Sequence, residues 1–155
     1  SVGYLPGDNN GILSEPFQEK DIDEIVAFDQ NAFGANRKPL IEFLIKENAG
    51  TSLQLKNDRQ LTGFVLGRDG NKFQHIGPLI ASTFADAKWL IIKALKELQN
   101  KPVVVDVLND KVDLMNWLSS IGFIKQRHFV RMYRNENLFP GDPDKQYLIC
   151  GPEFG

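Results

Sequence analysis

Apolar residues recur every three or four positions across 19–33. Ile22, Ile25, Val26 and Phe33 thereby share one face of a helix, which Gly34 stops. A second helix is expected over about 39–48. Pro39 suits its first turn, and Leu40, Ile41, Leu44 and Ile45 form its inner face. A period of two then takes over. Leu53 and Leu55 fall on one side of a strand over 51–56. A second strand covers 61–68, and the turn Asp69-Gly70-Asn71 leads into a third at 73–81. A long helix over about 83–100 places Phe84, Ala87, Ile91, Ala94, Leu95 and Leu98 inward. Residues 103–108 are almost wholly apolar, as a central strand covered on both faces would be. Residues 113–121 read as a helix closed by Gly122, 123–134 as a long strand, and 146–150 as a last strand after the Pro-Gly-Asp-Pro loop at 140–143. A short first strand is expected within 11–17. Residues 1–10, rich in Gly, Pro and Asn, read as a linker or arm, so one domain occupies 11–155. The order β-α-α-β-β-β-α-β-α-β-β predicts a mixed α/β domain with an antiparallel start.

Composition narrows the partners more than the fold. A chain of 155 residues, 42% hydrophobic and 25% charged, fits one domain with a proper core. The net charge of -2 provides no basic field, so nucleic acid is not an expected partner. Cys150 is the one cysteine and cannot close an internal disulfide. No Cys/His spacing suggests zinc, and a reducing cytoplasm is the default reading. Leu90-Ile91-Ile92 is soon interrupted by Lys93, so no run is long enough to span a bilayer and no membrane partner is expected. The first residues lack a signal-peptide pattern. A start at Ser1 fits Met removal or a domain cut from a longer protein.

Several polar residues interrupt this pattern. Asp29 continues the inner stripe of the first helix, seven residues after Ile22, and Asp106 interrupts the apolar strand. A buried carboxylate is costly unless paired; Arg37, Arg68 and Arg131 are the candidate partners. His75 precedes Gly77-Pro78 and suits a general base near neutral pH. Two readings stand side by side: a polar pocket for an acceptor or an anion, or ion pairs that lock the core. His128 is expected in solvent, and Trp89 and Trp117 in packing. Gly77-Pro78 inside a strand marks a bulge or a gap in pairing, because Pro donates no ladder hydrogen bond and Gly weakens a strand.

Three segments carry a family resemblance. His75-Ile76-Gly77-Pro78-Leu79-Ile80-Ala81 runs straight into a helix, Val105-Asp106-Val107-Leu108-Asn109 ends a strand, and Trp117-Leu118-Ser119-Ser120-Ile121-Gly122-Phe123 ends a helix. Their order and spacing resemble the GNAT N-acetyltransferase fold over nearly the whole chain. That resemblance implies a mostly antiparallel sheet of six or seven strands, splayed at a central bulge, with about four helices on its two faces. It implies that the pantetheine arm of acetyl-CoA lies in the splay, with Leu79, Ile80, Ala81, Ser82, Thr83 and Asn109 as the cofactor-binding positions. The polar residues named above then supply His75 and Asp106 as the catalytic candidates, and Asp29, Arg37, Arg68 and Arg131 as the pocket for a small-molecule or protein amine. A narrower set, Phe33-Gly34-Ala35-Asn36-Arg37, Ile76-Gly77-Pro78-Leu79, Arg131-Met132 and Gly151-Pro152-Glu153-Phe154-Gly155, resembles the C-terminal domain of bacterial two-domain GNAT proteins. It implies an upstream GNAT domain in the same protein; a homodimer is a further expectation.

The sequence departs from the family at the phosphate loop. GNAT enzymes carry Q/R-x-x-G-x-G/A there, so that free N–H groups surround the pyrophosphate. Here Ser82-Thr83-Phe84-Ala85-Asp86-Ala87 has no glycine, and Thr83 and Asp86 have capping-box spacing. Asp86 also brings negative charge to the place of a phosphate. Leu118 stands where the family has the Tyr that protonates the leaving thiolate, and Leu cannot donate. The chain therefore reads either as an acetyl-CoA-dependent N-acetyltransferase with an altered cofactor site, or as a non-catalytic GNAT-like domain that binds a ligand and completes a catalytic partner.

Overall fold

The computed structural model describes residues 13–130 and 136–154. Among the described residues six strands form one mixed sheet: β1 (Leu13–Pro16), β2 (Leu53–Asn57), β3 (Gln60–Asp69), β4 (Gln74–Ala81), β5 (Val103–Val107) and β6 (Gln146–Ile149), hydrogen-bonded in that order, with β6 paired to β4 as well. Four α-helices cover it: α1 (Ile22–Phe33), α2 (Lys38–Glu47), α3 (Phe84–Glu97) and α4 (Val112–Ser120). β1 to β4 form an antiparallel meander, while β4 and β5 run parallel, as the crossover through α3 requires.

The helices divide between the two faces, and each face has its own core. On one side, Ile25, Ile41 and Leu44 of α1 and α2 pack with Phe64, Leu66, Ile80 and Cys150. On the other, Ala87, Leu90, Ile91 and Ala94 of α3 and Leu114 and Leu118 of α4 pack with Val65, Ile76, Leu79 and Leu148. Trp89 and Trp117 join that second core as packing residues. Alternation along β4 puts neighbouring side chains on opposite faces. Yet Ile76 and Leu79, an odd number of residues apart, share one face. The bulge resets the phase: three residue steps of β4, from Ile76 to Leu79, oppose two steps of β3, from Gly67 to Val65. The Gly77–Pro78 peptide is cis.

That bulge also splits the sheet. β4 pairs with β5 only at Gln74, His75 and Ile76. Beyond it the two strands diverge, and β6 lies antiparallel between them. Leu79 pairs with Leu148 and Ile80 with Gln146 on one side, and Asp106 pairs with Ile149 and Val107 with Leu148 on the other. The preceding loop is fixed to the end of α1: the backbone N–H of Asp142 and the buried Gln146 amide both donate to the Ala32 carbonyl at 2.7 Å. Gly141, at φ 66°, makes this approach feasible, because a Cβ there would meet that carbonyl and the backbone of Phe33 and Gly34.

One expected strand does not form among the described residues. Residues 123–130 form no strand, and Ile124, Phe129 and Val130 are exposed. The rest of that expected strand, 131–134, lies outside the described residues. A strand exists only by pairing, and β6 holds the pairing positions at Asp106 and Val107.

Candidate functional site

The polar residues singled out in the sequence gather on the α1/α2 face. Arg37 and Asp29 form a buried two-point ion pair, with Nη2 to Oδ1 at 2.6 Å and Nε to Oδ2 at 3.0 Å. The Arg37 guanidinium lies 3.7 Å over the Phe33 ring. Asp29 is 1% exposed, so the pair is an internal strut of this face. Asp106 takes a histidine, not an arginine: its Oδ2 lies 3.0 Å from His75 Nε2. An ionised carboxylate only accepts, so Nε2 carries the proton. His75 Nδ1 is left buried with no partner among the described residues.

Arg68 stands opposite His75 in the β3–β4 register, on the same face. Its Nη2 donates to Glu153, and its guanidinium lies 5.6 Å from the Phe154 ring centroid. Cys150 is fully buried among these charges. Burial dominates and pushes its thiol up to about 11, although Arg68 and Arg37 pull the other way. Arg131 lies outside the described residues. Asp29, Arg37, Arg68, His75 and Asp106 thus share one face, as two adjoining groups. Glu153 was missed in the sequence reading. Its signal lay in the Gly-Pro-Glu-Phe-Gly segment, which registers there as a family marker and not as chemistry.

The expected cofactor positions have a different character. Leu79, Ile80 and Ala81 are buried, and Leu79 and Ile80 pair on both edges, with β3 and with β6. Thr83 caps α3, its hydroxyl accepting the Asp86 N–H at 3.1 Å. Ser82 and Asn109 are exposed in the loops beside it. Between the starts of α3 and α4 a cavity of about 210 Å³ remains, lined by Phe84, Lys111, Val112, Asp113, Leu114 and Tyr147. Pockets that take drug-sized ligands hold roughly 300–1,000 Å³, so this remnant is small for a long cofactor arm. Tyr147 of β6 narrows it, stacking on Phe84 at 6.3 Å with the Lys111 ammonium 5.3 Å from its ring centroid.

The N-acetyltransferase YitH of Bacillus subtilis is 29% identical over 109 residues, 70% of this chain but 38% of that protein, so the chain spans well under half of its relative. Arabidopsis thaliana Naa50, solved with the bisubstrate analogue CoA-Ac-MVNAL, superposes with a TM-score of 0.65 at 9% identity, over 83% of this chain and 93% of that one. Ard1 of Thermoplasma volcanium gives 0.62 at 13% identity, over 76% and 85%. These two likenesses establish the fold alone. The family model described as an acetyltransferase (GNAT) domain matches residues 25–148. The splayed mixed sheet, the bulge at Gly77-Pro78 and that match agree: the chain belongs to the GNAT acetyltransferase family.

Proposed function

We propose that this domain is the ligand-binding half of an N-acetyltransferase. It takes an amine acceptor, a small molecule or a peptide amine, on the α1/α2 face beside His75. A partner GNAT domain supplies acetyl transfer from acetyl-CoA. The observation that supports this reading is the position of β6. Tyr147 and Leu148 are buried against the α3/α4 core, where the pantetheine arm would run in a working family member. Each fully buried apolar side chain is worth about 1.5–3 kcal/mol. Displacing two costs about 3–6 kcal/mol, which lowers a cofactor affinity by roughly two to four decades. The self-capped start of α3 acts in the same direction, because the Asp86 N–H is already committed to Thr83.

A second reading is favoured by the His75–Asp106 pair. Asp106 fixes the tautomer that leaves Nδ1 as a proton acceptor. In direct transfer, Nδ1 would take one proton from the ammonium, the amine nitrogen would attack the thioester carbonyl, and as the C–S bond breaks the departing thiolate would take the second proton, shed by the new amide nitrogen. That route requires β6 to vacate the splay. A thiol-release assay of the purified domain with acetyl-CoA and a panel of amines separates the two. The first reading predicts no release above background; turnover that disappears in His75→Ala would replace it with the second.

A further inference from the structure

The polar face holds a feature that acetyl-CoA chemistry does not require. Arg68 is half of a site whose other half comes from the same chain. Residues 151–154 form a turn, with the Phe154 N–H donating to the Gly151 carbonyl at 3.1 Å. The turn folds over Arg68 and brings the Glu153 carboxylate onto its Nη2. Glycine at 151 makes this possible. Its φ is 118°, and a Cβ there would lie 2.8 Å from Arg68 Nη2 and 2.9 Å from Glu153 Oε2.

The fit is incomplete underneath. Arg68 Nε is buried and has no partner among the described residues, and neither has His75 Nδ1 beside it. Arg presents its donors as a planar fork that matches a carboxylate at two points. Glu153 engages one arm of the fork, and its side chain is 47% exposed. Burial alone would raise its carboxyl. A backbone N–H and Arg68 outweigh that and hold it below the usual value. Glu153 therefore stands as an anion at this site, held at a rim that solvent reaches.

From this geometry we infer that Arg68 and His75 form a binding site for a carboxylate-bearing small molecule, with Glu153 as a built-in competitor that the ligand displaces. The ligand's carboxylate would take Nη2 and the free Nε of Arg68 together, and its amine, in an amino-acid-like acceptor, would meet His75 Nδ1. This rests on the proposal that the α1/α2 face binds the acceptor, and it names the chemical class of that acceptor. Phe154 completes the device by covering the guanidinium while the turn is closed. An internal carboxylate on a short tether has an effective concentration in the millimolar range, so external carboxylates compete poorly until it is removed.

The test is a calorimetric titration with L-glutamate and, separately, succinate, in chloride buffer with sulfate as the anion control and without CoA. Glu153→Ala should bind both at least tenfold more tightly than the wild type and prefer them to sulfate. Arg68→Met should lose binding in either background. His75→Asn should reduce the preference for glutamate over succinate. No gain in Glu153→Ala, or equal affinity for sulfate, overturns the site. Retained binding in Glu153→Ala/Arg68→Met overturns the role of Arg68. If the double variant does not fold, the Glu153→Ala result decides alone. A parallel CoA titration of the same samples keeps the proposals separate: tight CoA binding contradicts the closed cofactor cleft and leaves the carboxylate site standing, and the reverse pattern does the opposite.

Discussion

Gly77 is the residue on which the split sheet turns. Its φ of 145° is one that side-chain-bearing residues rarely adopt, and a Cβ would press on the Ile149 carbonyl of β6. Gly77→Ala is therefore expected to cost about 1–3 kcal/mol, read as a lower urea midpoint with an unchanged slope. Asp29 and Arg37 make a larger demand, because removing either leaves the other's charge buried. Asp29→Ala should cost about 3–5 kcal/mol, and the double change to Ala and Met should cost less than the sum of the single ones. Asp21 adds a pH dependence. Burial would raise its carboxyl, but the Gln18 N–H, the Gln54 amide at 2.8 Å and the Lys56 ammonium at 3.1 Å hold it below its ordinary value. A depressed pKa stabilises the fold above the unfolded value of about 3.9 and ceases to do so as pH falls through the folded value. The stability gap between the wild type and Asp21→Asn should accordingly shrink from pH 7 to pH 2; a gap that stays constant would exclude this role. At this scale the sequence discloses needs more readily than partners. The stripe position of Asp29 shows that it requires a cation, yet only the fold selects Arg37 and gives Asp106 a histidine. Those choices depend on which strands are neighbours.

At the scale of elements, the four helices and β2 follow from periodicity, because each has a one-sided apolar face, while β5 is legible as an apolar run suited to a central strand. Thr83 is the clearest case: its spacing to Asp86 predicts a self-capped helix, and the hydroxyl does accept the Asp86 N–H. Thr83→Ala should lower stability by about 0.5–2 kcal/mol, measurable in denaturant, while Thr83→Ser should be nearly neutral. The two C-terminal strand expectations fared differently. Residues 146–149 pair, and 123–130 do not, although both carry a strand-like pattern. A pattern states which residues suit a pleated surface; it does not state which segment reaches a free edge first. Anchoring of Asp142 and Gln146 at the Ala32 carbonyl gives β6 that edge. The Gly-Pro pair announces a gap in β4, but not that the chain itself would fill it.

For the whole molecule, family membership and the state of the cofactor cleft lead in different directions. The GNAT architecture is complete enough to be recognised from residues 25–148, while the splay that gives the family its chemistry holds a strand of the same chain. The matched region spans 38% of the length of YitH. The most direct test of the closed cleft is a calorimetric titration of the domain with CoA. A working family site would bind at low-micromolar levels, about 8 kcal/mol. The occupied splay and the capped α3 predict millimolar binding or no heat at all. A low-micromolar Kd, with loss of hydrogen-exchange protection across residues 146–149 on binding, would contradict the account and show that β6 gives way to the cofactor.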